Sequence, residues 1–439
     1  MNKYFYHFTH IDNLESILKN GLICTNQKQA LGIAHYNIAN KSIQTRRSTM
    51  EIICEDEKSY GYVHDYVPFY FSTRTPMLLS LINQKKVDQP EIIYFGIKTE
   101  LIRTKELIFS DASANTQQPP NFFKNFDNLS KLNWDIINSR KWGYNENDKH
   151  KKMAEVFIKS FDFADVDHIV VFNEYYRNKV IETLKQYDLE KIPSIKYSPV
   201  EKNYFYFTKF TTNGKENENL VFGPKFLKYK YDLVNEQVIN ERKKRNNFNH
   251  KNLGILLKEL KNNFSYLPET AGIFNLETSN DLHACTVSEH TLHVLKNLHD
   301  NVLFKELNER EKNILIFSAY LHDIGKGPHD KWPDRIQPNY PDHPYDSLIQ
   351  LTRILIEEIE ELDNEDIRII TLLVGYHDIL GDLSEDRRNT IELTNIITSE
   401  KDLELLYILS QADILAIRED WYKNLNANFA SIKCKVLGV

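Results

Sequence analysis

An adjacent His322–Asp323 pair closes the apolar run ILIFSAYLHDIG, and Asp413 interrupts a second such run, YILSQADILA. Burying a carboxylate in apolar surroundings is costly unless it is paired or bound to a metal. Two core-like helices that each carry an aspartate therefore call for a partner. His290 in SEHTLHVL and His377 in LVGYHDILG add imidazoles beside apolar stripes, and His343 sits in the loop DHPYDS. Imidazole and carboxylate together suit Mn, Fe, Zn or Mg. A divalent ion in such a set lowers the pKa of its water and offers hydroxide to phosphorus. Lys326, three residues past Asp323, is placed to neutralise a phosphate. Each residue also has a bland alternative: a cap, a hydrogen-bonded core residue or a surface charge. That alternative fits His343 and Lys326 better than it fits His322–Asp323.

The first half offers a different set. His7 and Thr9 alternate on an expected strand, Arg74 follows the aromatic run YVPFYFS, and Glu155 sits in KKMAEVFI. Singly, these read as a core-edge histidine, a surface charge and half of a salt bridge. Together, an Arg and a His can hold a dinucleotide's phosphates and amide, and a Glu can accept a proton. That is the minimal equipment for displacing nicotinamide from NAD. No GxGxxG turn follows a strand, which argues against a Rossmann domain. Arg140, Lys141, Lys149, Lys151 and Lys152 flank the segment before Glu155, with Trp142 and Tyr144 among them. Positive charge and aromatic faces suit single-stranded DNA, although an ordinary charged loop would look the same.

The elements that must position these groups differ between the halves. YFYHFT (4–9), YVPFYFS (66–72), EIIYFGIK (91–98) and DHIVVFN (167–173) read as strands, and IDNLESILKNGL (11–22) as a helix closed by Gly21. Segment 111–128, with Pro119 and Pro120, reads as a loop. The expectation for residues 1–200 is an α+β domain. Residues 201–250 read as a basic linker: from Lys225 to Lys251 eight Lys/Arg stand against three acidic residues. From 251 to 435 nearly every segment has a helical apolar stripe, which predicts an all-α domain.

Composition sets the outer bounds. At 439 residues, two or more cores are expected. A net charge of -7 does not advertise nucleic-acid binding, although a local patch is compatible with it. The four cysteines show neither disulfide nor zinc spacing. The N-terminus lacks a signal-peptide pattern and no run reaches membrane-spanning length, so the expectation is a cytoplasmic protein with no membrane partner.

The spacing of His290, His322–Asp323 and Asp413 resembles the metal signature of the HD phosphohydrolase superfamily. In that family the four bind the first metal, and His343 and His377 resemble the histidines that complete a site or accept a second metal. YLPETAGIF (266–274), LHACTVSEHTLHVLKNL (282–298), LHDIGKG (321–327) and LYILSQADILAIREDWY (406–422) most resemble the HD module of the bacterial PII uridylyltransferase/uridylyl-removing enzyme. The resemblance implies a nucleotide or phosphodiester substrate.

HFTHIDNLESILKNGL (7–22), GIAHYNIANKSIQTRR (32–47), HDYVPFYFSTRTPML (64–78) and KKMAEVFI (151–158) resemble the DarT family of single-stranded DNA ADP-ribosyltransferases. The resemblance implies a compact ADP-ribosyltransferase fold with NAD as substrate. His7, Thr9 and Asn13 would line the NAD pocket, Arg74 would contact NAD and the transition state, and Glu155 would be the catalytic acid/base. Arg46 and Arg47, with Arg140, Lys141 and Lys151, become DNA-binding candidates. It also implies a toxin or phage-defence role, a target base such as thymine, and a macrodomain or other antitoxin as partner. The competing expectation is an HD phosphohydrolase whose N-terminal half only binds nucleotide or nucleic acid.

Overall fold

The computed structural model describes residues 3–438 apart from 39–40, 106, 117–118, 140–141, 143–144, 160, 208–209, 213–214, 218–221 and 280–284. The chain divides into two compact units, Met1–Leu220 and Val221–Val439.

The first unit is a mixed α/β domain. Its strands are β1 (Tyr4–His10), β2 (Glu51–Ile53), β3 (Ser59–Tyr62), β4 (Val67–Tyr70), β5 (Ile92–Lys98), β6 (Ile108–Ser110), β7 (Phe122–Phe123), β8 (Glu155–Ile158), β9 (His168–Val170) and β10 (Ser194–Lys196), with a further antiparallel pair, Phe210–Thr212 and Lys215–Asn217. Eight of them form one sheet in the order β10-β9-β5-β1-β4-β8-β6-β7, while β2 and β3 pair separately. All sheet pairings are antiparallel except β9 with β10. Aromatic and β-branched residues fill the central strands and fit a surface packed on both sides. Phe5, Phe69, Phe95 and Val156 lie in one buried cluster. Gly21 ends the first helix at φ 75°, as its position predicts. Segment 111–128, expected as loop, also contributes the short edge strand β7 against β6.

The second unit is helical, with one two-residue parallel pairing, Glu277–Thr278 with Ile336–Gln337. His343, expected in a loop, begins the helix His343–Glu357, and the other candidate ligands lie on or just past four more: Val287–Asp300, Glu309–Leu321, Asn364–Tyr376 and Glu400–Ile417. Each of these four opens with a capping box, at Thr286/Glu289, Asn308/Glu311, Asp363/Asp366 and Ser399/Asp402. Reciprocal side-chain bonds there satisfy the orphan N–H groups of the first turn. Arg310 bonds Asp363 and Asp366, and Arg368 bonds Asp402, so neighbouring helix starts are tied together.

The linker expected at 201–250 is corrected at both ends. Tyr206 is buried in the first unit and donates to the Ile92 carbonyl, and Gln89 bonds both backbone groups of Phe207. Helix Pro224–Arg242 buries Leu227, Tyr231, Val234 and Val238 in the second unit's core. Lys225 and Lys228 lie on the outer face of this packed helix, while Arg242 at its end donates to the Leu355, Ile359 and Glu360 carbonyls.

Candidate functional sites

In the first unit, the β4–β8 register sets Tyr70 opposite Glu155, and the β1–β4 register sets Tyr6 opposite Tyr70. Opposed residues share a face, so Glu155, Tyr70 and Tyr6 project to one side of the sheet. Glu155 is fully buried at the start of β8. Arg47 grips its carboxylate with two bonds, 2.9 Å and 2.7 Å, and the Ala114 N–H adds a third at 2.8 Å. Ser110 accepts from the Glu155 backbone N–H through its Oγ, 3.2 Å away, fixing the strand at the same point. Arg47 was expected on the DNA side. It is instead the buried partner of the proposed catalytic carboxylate, joined across 108 residues of chain. Burial and the Glu155 charge both push the Tyr70 phenol well above its usual range.

His7 and Thr9 lie on the other face of β1, by the alternation of a strand. The His7 ring packs by Phe69 and Phe95, and its Nδ1 donates to the Pro68 carbonyl at 2.9 Å. Burial lowers its pKa to about 4. The structure therefore sets His7 among the core aromatics, on the side away from Glu155. Asn13 donates to Thr9 Oγ1 and to the Tyr36 carbonyl, both at 3.0 Å, and accepts from the Tyr36 N–H at 2.7 Å. Tyr36 in turn stacks on His10 with ring centroids 3.9 Å apart. Thr9 and Asn13 thus anchor the segment that leads into the Arg47 helix, Lys41–Ser48.

Arg74 is half-buried, with its guanidinium over the Phe207 ring. Lys152, read from sequence as part of an exposed patch, is buried. Its ammonium donates to Ser72 Oγ and to the Ile137 and Ser139 carbonyls at 2.7–3.0 Å. Burial, then the neighbouring Arg74, brings its pKa down to about 8. Arg46 is exposed and bonds Asn115, and Lys151 is half-buried. Arg140 and Lys141 lie outside the described residues.

In the second unit the six expected metal-site residues converge. His290 Nε2 lies 2.8 Å from Asp413 Oδ1 and 3.4 Å from His322 Nε2. Asp323 Oδ2 lies 3.4 Å from His322 Nε2, and Asp323 Oδ1 lies 3.3 Å from His343 Nε2. Three overlapping sets, His290–His322–Asp323, His322–His377–Asp413 and Asp323–His343–His377, each place their donor atoms within 4.8 Å of one another. Lys326 Nζ sits 2.7 Å from Asp323 Oδ2. Asp378, which sequence reasoning left out of the site, lies 3.3 Å from both His343 Nε2 and His377 Nε2. The signal was present: His377–Asp378 repeats the His322–Asp323 dipeptide at the end of another helix.

The local fold explains the convergence. His322 and His377 are both helix C-caps, and each bonds the carbonyl three residues back through Nδ1. His343 does the same to Tyr340. Those bonds commit Nδ1 as the donor and turn the Nε2 lone pairs inward. His343 and His377 then face each other Nε2 to Nε2 at 3.1 Å. Two lone pairs at that distance call for a cation. Asp323 Oδ1 is buried with no hydrogen-bond partner, which fits the same need. Burial would lower the His322 pKa, but Asp323 and Asp413 raise it to about 9, so without a metal the two carboxylates draw a proton onto the nitrogen that a cation would otherwise occupy. Asp413 stays well below the usual carboxylate range, its burial outweighed by the His290 bond and the His322 charge. Nitrogen and carboxylate donors in this arrangement fit a divalent transition metal. Gly325 permits the close packing here, since a Cβ would meet the His343 carbonyl at 2.1 Å.

Comparison with known proteins agrees with this division. Residues 6–206 match the family model for DarT, ssDNA thymidine ADP-ribosyltransferase, and residues 287–416 match the HD domain model. The first half is a DarT domain and the second is an HD domain. The DarT half is 29% identical over 208 residues to a DNA ADP-ribosyl transferase of Thermus sp. (strain 2.9), covering 46% of this chain and 95% of that protein. A solved structure of Thermus sp. 2.9 DarT in complex with ADP-ribosylated ssDNA has a TM-score of 0.42 at 28% identity, covering 46% of this chain and 96% of that one. A bifunctional uridylyltransferase/uridylyl-removing enzyme of Ruegeria pomeroyi is 25% identical over 227 residues, which cover 45% of this chain and 23% of that protein. Among the described residues no helix is long and apolar enough to cross a membrane.

Proposed function

We propose that the DarT half transfers ADP-ribose from NAD to a base, thymine, in single-stranded DNA, and that the HD half is a metal-dependent phosphohydrolase. The observation that carries the first activity is the buried Arg47–Glu155 pair. Nicotinamide leaves as the C1–N bond of its ribose breaks, and a ring nitrogen of the base bonds to that carbon. The nitrogen's proton passes to Glu155, whose carboxylate Arg47 and the Ala114 N–H hold in place. A carboxylate oriented before reaction lowers the cost of proton transfer. His7, Thr9 and Asn13 support the NAD pocket from beneath and beside it, and Arg74 contributes positive charge toward a dinucleotide or DNA phosphate. Arg46 and Lys151, with Arg140 and Lys141, supply charge toward the DNA backbone.

In the HD half, His290, His322, Asp323 and Asp413 would hold one metal, and His343, His377 and Asp378 would complete the site. A divalent ion there supplies charge neutralisation and a more acidic water. Lys326, held by Asp323, faces the same cavity. Mn, Fe, Zn and Mg are all compatible with the donors. A toxin or phage-defence role in the cytoplasm follows from base modification, with a macrodomain or other antitoxin as the expected counterpart.

The test is incubation of the full-length protein with NAD and a mixed single-stranded oligonucleotide library, read by mass spectrometry. An ADP-ribosyl adduct on a base, absent in Glu155→Gln, is expected. Unmodified DNA and RNA from active, metal-loaded protein would instead favour an HD hydrolase with a non-catalytic N-terminal half.

A further inference from the structure

The HD cavity is small and polar. Lys326, Asp378, Gln337, Asn339 and Tyr340 line it around the histidine–carboxylate cluster. The Asp378 side chain is 38% exposed, so the cavity opens to solvent on that side, while Lys326 is only 12% exposed and stays at the floor. Its ammonium and the Gln337 and Asn339 amides are donors for phosphate oxygens. Such a space admits a phosphate on a flexible arm more readily than a phosphate within a continuous strand.

The activity proposed for the DarT half makes an arm of that kind. An ADP-ribosyl group hangs from the base by one ribose and carries a pyrophosphate, which unmodified DNA lacks. Its link to the base is a carbon–nitrogen bond, with no phosphorus to attack. Both units belong to one chain, so every DarT half that forms an adduct is accompanied by an HD half. Resting on the transferase reading, we infer that the HD half hydrolyses the pyrophosphate of the ADP-ribosyl group attached to DNA. Water oxygen bonds to one phosphorus and the P–O–P bridge to the other breaks. The bridging oxygen leaves with the second phosphorus, and the protons of water pass to solvent as two phosphomonoesters form. AMP departs and a 5-phosphoribosyl group stays on the base. No oxidant or reductant takes part. The HD half therefore trims the adduct and does not restore the base.

The experiment uses an oligonucleotide ADP-ribosylated beforehand by a separate DNA ADP-ribosyltransferase. Full-length protein carrying Glu155→Gln is added with Mn²⁺, and products are followed by mass spectrometry and ³¹P NMR. Pyrophosphate signals should give way to two monoester signals, with AMP released and phosphoribosyl mass retained on the DNA. Asp413→Asn, in the same background, should slow this at least 100-fold. A binding readout accompanies it: a methylene-bridged ADP-ribose analogue should bind at least tenfold more weakly to Lys326→Met than to the parent. Cleavage of bis(p-nitrophenyl) phosphate with the adduct left intact would overturn the inference and leave the phosphohydrolase reading standing. Loss of the whole adduct with an intact base would overturn it too. Failure to cleave either substrate would overturn both.

Discussion

Glu155 cannot simply be cut away to test its role. Its carboxylate neutralises a guanidinium that is itself buried, and truncation to Ala would leave Arg47 uncompensated. Removing one partner of a buried pair costs about 3–5 kcal/mol. Glu155→Gln keeps the volume and one acceptor. We expect it to slow transfer by about 10²–10⁴-fold with a far smaller fall in Tm than Glu155→Ala, as differential scanning fluorimetry would show. His7 makes a separate prediction. Its pKa falls from about 6.5 unfolded to about 4 folded, so the unfolded chain binds its proton first as pH drops. Stability therefore declines between pH 6.5 and about 4, by up to about 3 kcal/mol from this group. His7→Gln should flatten that part of the acid-unfolding curve if it folds, and an unchanged slope would refute the assignment. Glu155 and the His322–Asp323 pair stood out in the sequence because charged letters interrupt apolar runs, whereas Asp378 was passed over beside His377. Arg47 did not stand out, because nothing local signals a partner 108 residues away.

At the scale of elements, the HD centre depends on where helices start and stop. Three of its ligands lie the same distance beyond an N-cap: 322 − 308, 377 − 363 and 413 − 399 all equal 14. That is slightly under four turns, so each ligand comes back to within about 40° of its cap's angular position. Ser347 and Ser410 then bond the His322 and His377 carbonyls from neighbouring helices, at 2.9 Å and 2.8 Å. Caps and ligands should separate on mutation. Ser399→Ala should cost about 1 kcal/mol and lower Tm while metal stoichiometry by elemental analysis is retained. Asp413→Ala should lose the metal. Equal metal content in Asp413→Ala and its parent would remove Asp413 from the centre. The helices were readable from periodicity, and S/T/N/D-x-x-E/D starts were present in the letters. The Nδ1 bonds that aim the histidines inward depend on folded backbone, and no pattern announced them.

For the whole molecule, the two-part architecture was visible in the change from strand to helix periodicity, but the junction was misread. Between 224 and 242 charge obscured an apolar stripe of Leu227, Tyr231, Val234 and Val238, whose spacing is that of a packed helix. A fragment beginning at 251 should therefore unfold at lower temperature than one beginning at 222, with calorimetry as the measure. Chain length itself is constrained unevenly as a result. One residue inserted between Asn308 and His322, Asp363 and His377, or Ser399 and Asp413 would swing the ligand by about 100° around its axis and off the cluster. The same insertion between the units, near residue 220, moves no ligand. Insertions and deletions in this protein should thus be lethal to metal binding within three fourteen-residue stretches and tolerated at the seam, a pattern that a library of single-alanine insertions would expose directly.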